Sequence, residues 1–323
     1  MICPTCQTEA HKHGHDRKGN QRFYCPICLK SVVDYSNRPI DGMYLPAKKV
    51  NGCLRLLLEG CSLRSVERLT GVSLHTLLKL LVEAGKKCEK LLNDRIKNIR
   101  VEDVECDEIW CFVGMKEKTL KGKTTKGLLG DDFEKIDNYG DAYTFVGFER
   151  NTKLVLAWHL GRRTFEDTYE FTKKLSRATI GGFQVSTDGF APYRDTIVHE
   201  FQDREIDFAQ LIKIYAVSQS VEHKYSPPVV VDIQTSIICG DPNKMRICTS
   251  FVERQNLTIR MQMRRFTRLT NAFSKKRENL KWALALFFAY YNFCRVHGAI
   301  KTTPAIESGL TDHIWTIGEL LSA

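Results

Sequence analysis

Two cysteine pairs open the chain: Cys3 and Cys6 in CPTC, then Cys25 and Cys28 in CPIC, with eighteen residues between them. Each C-x-x-C turns tightly enough to aim both thiolates at one ion, and four thiolates complete a tetrahedral zinc site. So short a segment, 1–36, buries too little to fold unaided, so the metal would supply its folding free energy. A redox dithiol is the other use of such pairs, but two pairs with no βαβ pattern around them argue against it. QRFYC, with Phe23 and Tyr24, is expected as the strand entering the second pair. His11, His13 and His15 are expected in the loop between the pairs, as substitute ligands or, with Lys12, Arg17, Lys18 and Arg22, facing solvent or phosphate. The remaining cysteines show no ligand spacing and read as small core residues.

Residues 45–100 read as a helix-turn-helix with a linker helix. Pro46 suits a first turn and Gly60 a C-terminal cap. Ser62 can cap a second helix, Gly71 supplies the turn, and Ser73 can cap a third helix from Leu74 to Ala84. Leu63, Val66, Leu69, Val72, Leu77 and Leu81 form its apolar face. In a DNA-binding arrangement the last helix enters the major groove, which would bring His75, Thr76 and Lys79 nearest to bases or phosphates. A small three-helix bundle without that role gives the same pattern. Lys86 to Arg100 is expected as a separate basic helix leading to the next domain.

Charge divides the chain in three. Residues 1–100 hold 18 Lys/Arg against 9 Asp/Glu, residues 101–253 hold 19 against 25, and residues 254–323 hold 11 against 4, within a net charge of +10. Basic flanks favour a polyanion, and an acidic middle would repel one unless cations sit in it. Solvated surface charge is the plainer reading of the same asymmetry.

Residues 101–323 alternate strand and helix patterns: VEDVECDEIWCFVG, DAYTFVGFER and TKLVLAWHLG as strands, Thr164 to Thr179 as an amphipathic helix, then a short strand ending on Asp188 and another helix. AQLIKIYAV and PPVVVDI are further strand-like segments, and a long helical region from about residue 245 includes Phe251 to Leu269. The fold class is α/β, and this order resembles a ribonuclease-H-like mixed sheet: three strands meander and the fourth lies parallel to the first. There Asp107 and Asp188 would lie side by side, and Glu253 would join them from a later helix. Three convergent carboxylates repel one another without a cation. Two Mg²⁺ or Mn²⁺ ions would resolve this, and would support in-line phosphoryl displacement. Asn256, Leu257 and Arg260 share the helix face of Glu253. Arg260 could hold a phosphate beside the metals, with Arg264, Arg265 and Arg268 extending the basic surface. KTLKGKTTKG, with Lys118, Lys121, Lys123 and Lys126, is expected as a mobile basic loop.

DEIWCFVG at 107–114, TDGFAPY at 187–193 and ERQNLTIRMQMRRFTRLTNAFSKK at 253–276 resemble the three signature blocks of the insertion sequence 1 family of bacterial DDE transposases. YYNFCRVHGAIKTTPA at 290–305 is similar to the tail that follows the catalytic glutamate in many transposases. The resemblance implies a four-cysteine zinc finger and a helix-turn-helix ahead of the catalytic domain. It assigns the catalytic acids to Asp107 (not Glu108), Asp188 and Glu253, and the basic residue seven positions on to Arg260. One departure is the long stretch between Asp188 and Glu253, much of it HKYSPPVVVDIQTSIICGDPNK, expected as a loop or small insert.

The expected activity is metal-dependent 3′-end cleavage at the ends of an insertion element, followed by strand transfer into target DNA. The expected partners are double-stranded DNA, both element ends and target, and further copies of the chain in a homodimer or larger assembly. A DNA-binding regulator and a nuclease without strand transfer are the competing readings. With no membrane span and Met1 leading straight into ICPTC rather than a signal sequence, the expected location is cytoplasmic, on the nucleoid.

Overall fold

The computed structural model of the protein describes residues 1–3, 5–16, 21–33, 40, 43–128, 138–215 and 230–322. Arg17 and Lys18 lie outside them, as do residues 223–229 of the expected insert.

The N-terminal unit is a three-stranded antiparallel sheet of β1 (His11–His15), β2 (Gln21–Cys25) and β3 (Lys30–Val33). The QRFYC strand is β2. The three histidines lie on a strand rather than in a loop, and β1 is exposed throughout.

Three helices follow: α1 (Ala47–Leu58), α2 (Leu63–Thr70) and α3 (Leu74–Arg95). The caps sit where the sequence puts them. Ser62 Oγ accepts the Ser65 N–H, Ser73 Oγ accepts the Thr76 N–H, and Gly71 takes φ 69° between α2 and α3, a left-handed turn that favours glycine. Glu67 Oε1 also accepts the Leu74 N–H at 2.7 Å, tying α2 to the start of α3. Val66, Val72, Leu77 and Leu81 are buried, Leu63 is half-buried, but Leu69 is 67% exposed, so the apolar face is narrower than expected.

The third helix does not stop at Ala84. It runs unbroken through Gly85 to Arg95, and Ile99–Arg100 form a short strand, β4, parallel to β8 (Thr179–Ile180). Gly85 is there for closeness, not for a break. A Cβ on it would come within 2.5 Å of the Cβ and carbonyl oxygen of Trp282, on the helix α3 packs against.

The second half is built on a six-stranded sheet of β5 (Asp103–Val113), β6 (Gly140–Glu149), β7 (Val155–Gly161), β9 (Phe183–Asp188), β10 (Ile206–Tyr215) and β11 (Val230–Cys239), ordered β11-β10-β9-β5-β6-β7. β5, β6 and β7 form an antiparallel meander, β9 lies parallel to β5, and β10 lies parallel to β9. Most of the described part of the expected insert is sheet, in line with the strand-like PPVVVDI: β11 is antiparallel to β10, and 240–244 lie beyond it. α4 (Glu117–Thr125) replaces the expected basic loop; buried Leu120 anchors it while Lys118, Lys121 and Lys123 stay exposed.

α5 (Phe165–Ala178) and α6 (Ala191–Glu200) cover one part of the sheet, and Phe145, Phe171 and Tyr193 stack in the core between them. α7 (Ser250–Gln262) packs on β5 and β6. It ends sooner than expected: Met263 is extended, and both it and Phe266 are buried, so tertiary packing takes the chain off its helical course. α8 (Arg277–Phe293) is buried along most of its length between α3 and β7. Asn292 fixes it to the sheet, donating to the Val155 carbonyl at 2.9 Å and accepting the Val155 N–H at 3.0 Å. α9 (Pro304–Glu307) and α10 (Ile317–Ser322) close the chain. Among the described residues no helix is long and apolar enough to cross a membrane.

Candidate metal centres

Tight turns bring the four N-terminal thiols together, with all four sulfurs within 4.8 Å of one another. Cys6 and Cys25 sulfurs are 3.4 Å apart, and Cys3 and Cys28 sulfurs 4.0 Å. Four sulfurs about 2.3 Å from a central tetrahedral ion would be about 3.8 Å apart, so the set fits such an ion. Backbone supports it too. The Cys28 N–H donates to Cys25 Sγ at 3.4 Å and is the main reason that thiol is held down to about 6, in the range where it ionises readily. Thr8 Oγ1, 2.8 Å from Cys6 Sγ, lowers that thiol as well. Among the described residues, His11, His13 and His15 are not part of the cluster. All twelve cysteines are unbridged, and of the remaining eight, Cys53, Cys88, Cys106 and Cys111 are buried and the others half-buried.

The second site lies across the middle of the sheet. β5 and β9 run parallel with Cys106 opposite Thr187, so Asp107 and Asp188 come next on adjacent strands, pointing along the same edge. Their oxygens and one of Glu108 lie within 4.8 Å of one another. Glu253, in the first turn of α7, lines the same cleft of about 510 Å³ but is not in that group of three. It accepts from Thr249 Oγ1 at 2.7 Å and pairs with Lys213 of β10. The structure thus brings Asp107 and Asp188 together, places Glu253 in the same cleft, and adds Glu108.

Crowding shows in the electrostatics. Burial first, then the charge of Asp188, pushes Asp107 up to about 7. Burial, then Asp188 and Asp107, pushes Glu108 up to about 8, against the pull of Arg163. Asp107 still accepts from Asn256 Nδ2 at 2.8 Å, and Asp188 accepts the Phe190 N–H at 3.0 Å. A crowded all-oxygen cluster, with Arg163 opposing it on one side, suits a hard divalent cation.

Sequence reasoning missed how α7 is seated. Asp103, Glu105 and Asp107 alternate along β5 and so share one face. Asp103 is gripped by Arg246, in the lead-in to α7. Glu105, 1% exposed, accepts the N–H groups of Phe251 and Val252, both at 2.9 Å, and so caps the helix that carries Glu253. Asp107 takes Asn256 from the next turn. A period-two run of acids in a core strand is the signal that could have exposed this.

The proposed DNA contacts are dispersed. His75 and Lys79 are exposed on α3, and Thr76 is half-buried beside Ser73. Arg260 is not among the residues lining the cleft; it donates to the Phe266 carbonyl at 3.4 Å. Arg264 is exposed. Arg265 turns inward to Ser274 Oγ at 2.7 Å, and burial lowers its pKa to about 10.

No protein-family model matches the chain, and no curated protein matches it.

Proposed function

We propose that this chain is a DNA transposase: it cleaves the 3′ ends of an insertion element and joins them to target DNA. One observation carries the reading. Asp107 and Asp188, from separate strands, meet within 4.8 Å, and Glu253 lines the same cleft from a helix seated by its own buried acid, Glu105. The strand order, a meander with a parallel fourth strand, supports a ribonuclease-H-like catalytic domain. The four-thiolate set suits structural Zn²⁺, and the carboxylate set suits two Mg²⁺ or Mn²⁺ ions.

Those divalent ions, when bound, would activate the attacking oxygen and stabilise the departing one. The protein's own residues prepare the place. Asn256 orients Asp107, the Phe190 N–H orients Asp188, and Thr249 with Lys213 orients Glu253. In the first reaction water attacks phosphorus, the bond to the 3′ oxygen breaks, and a 3′-hydroxyl is left. In the second that hydroxyl attacks a target phosphodiester, one P–O bond replaces another, and the displaced strand takes up the proton. The finger and α3 would hold the element ends, with phosphate contacts positioning and base contacts specifying. Pairing two ends calls for a homodimer or larger assembly on DNA.

The test is the full chain with Mg²⁺ and a supercoiled plasmid carrying the element. Joined products that fall roughly 10⁴-fold in Asp188→Ala support the proposal. Cleavage without joining indicates a nuclease, and shifted but intact DNA a regulator.

A further inference from the structure

Arg163 sits where the chain leaves β7, immediately before Thr164, the N-cap of α5. Its guanidinium is held on three sides. Nε donates to Glu108 Oε1 at 3.0 Å, Nη2 donates to Asp188 Oδ2 at 3.4 Å, and the Phe190 ring centre lies 4.2 Å from its central carbon. The back of this arrangement is buried and the front is open: the Glu108 side chain is 2% exposed, that of Arg163 41%. Among the described residues, Nη1 makes no hydrogen bond.

Glu108 needs a reason to be there. A buried acid beside two more acids is costly, and an apolar side chain would fill the space without that cost. What Glu108 does is hold Arg163. A guanidinium fixed through Nε and stacked on an aromatic face keeps a plane and a direction, and its remaining N–H groups form a fork that matches phosphate. The two ion pairs are unequal. The contact with Asp188 is longer and reaches an exposed partner, whereas the contact with Glu108 is shorter and buried. Drawing Asp188 toward a dication would therefore break the outer contact and leave the inner one.

Among the described residues two cations line the cleft, Arg163 and Lys213, and Lys213 is engaged by Glu253. Arg260, the phosphate ligand expected from sequence, is turned to the Phe266 carbonyl. We infer that Arg163, anchored by Glu108 and Phe190, is the residue that grips a non-bridging oxygen of the DNA phosphate in this cleft. The inference rests on the function proposed above and gives Glu108 a positioning role.

The experiment uses the zinc-loaded full chain, a supercoiled plasmid carrying the element, and Mn²⁺. It reads the strand-cleavage rate, Mn²⁺ affinity by calorimetry, and thermal unfolding. Arg163→Ala is expected to lower cleavage about 100-fold, the scale of losing one preorganised transition-state donor. Its Mn²⁺ affinity should be unchanged or tighter, because a cation competing for Asp188 is gone. Arg163→Lys should recover only part of the rate, since an ammonium lacks the fork. Where Arg163→Ala does not fold, Arg163→Gln carries the test, with cleavage down by a similar factor and Mn²⁺ affinity retained, since a glutamine keeps a donor toward Glu108 but has neither the charge nor the fork. A rate within about threefold of wild type, against the loss expected for a transition-state donor, overturns the inference. So does Mn²⁺ affinity that falls in step with cleavage, which would make Arg163 a strut for the carboxylates. Asp188→Ala, run alongside, separates the two claims. If it cleaves like wild type, the active-site reading fails and takes this role with it. If it is dead while Arg163→Ala is unimpaired, the arginine's role alone fails.

Discussion

The finger and the cleft both crowd groups that become anionic, and they support that crowding differently. In the finger, two tight turns supply all four thiols, and among the described residues the buried apolar set is only Cys3, Ala10, Phe23 and Cys25. Two of those four, Cys3 and Cys25, are themselves members of the thiol cluster. In the cleft, the acids come from two strands and a helix that a large core already holds, with Phe145, Val146, Val185 and Phe208 fully or almost fully buried near them. The N-terminal unit has little apolar core to oppose chain entropy, and an ion held by its four thiols would supply what that core lacks. The sheet can force carboxylates together and bear the repulsion until a cation arrives. In one region a metal would make the fold; in the other the fold alone brings together the groups that could hold one.

Stripping the finger should sharpen this contrast most. Chelating an ion held by the four thiolates should remove about 10 kcal/mol or more of apparent folding free energy from that unit. NMR should show residues 1–33 lose dispersion while the sheet keeps its own. A finger that stays folded without metal would end the comparison.

The cleft should respond to pH in the opposite sense from an ordinary salt-bridged site. Asp107 ionises near 3.9 in an unfolded chain and only at about 7 in the folded one. Between those values the folded chain keeps a proton that the unfolded chain has lost, so stability falls as pH rises through that window. The loss from this group reaches about 4 kcal/mol by pH 7. Melting curves without added Mg²⁺ should show the fall, added Mg²⁺ should restore more at pH 8 than at pH 6, and Asp107→Asn should flatten the dependence.

Glu105→Ala should cost about 2 kcal/mol in urea unfolding, because two buried N–H groups at the start of α7 lose their acceptor. Glu105→Gln, which keeps an amide oxygen there, should cost less. Equal losses in the two variants would show that packing, rather than the cap, seats the helix. The smallest effect belongs to a purely local feature: Ser73→Ala should cost about 1 kcal/mol, read from the shift in denaturation midpoint.

What could be read from the sequence follows the same division. C-x-x-C pairs, serine caps, Gly71 and the strands of the meander are local signals, and each stands where the pattern puts it. Asp107 and Asp188 were legible only through the resemblance in strand order and signature blocks, since Asp103, Glu105 and Glu108 stand beside Asp107 in the same strand. Errors came where tertiary contact overrides local preference. Gly85 looks like a helix stop and is a packing notch for Trp282. Residues after Gln262 read as helix and are pulled away by the burial of Met263 and Phe266. Lys118, Lys121 and Lys123 look like loop, yet Leu120 pins a helix beneath them. Glu108 was passed over because the resemblance gives the role to the first acid of DEIW; its carboxylate nonetheless reaches the group of three with Asp107 and Asp188.

α3 spans 22 residues, about 33 Å of unbroken helix, with its first turn in the three-helix unit and its later turns wedged against α8. No hinge separates the surface proposed to read DNA from the body that holds the cleft. The two are geared together like a key's bow and bit. One residue added within the shaft would swing the exposed face of His75 and Lys79 by about 100° around the axis, so the angle at which a duplex meets the carboxylates is set by helical phase and not by a tether's length.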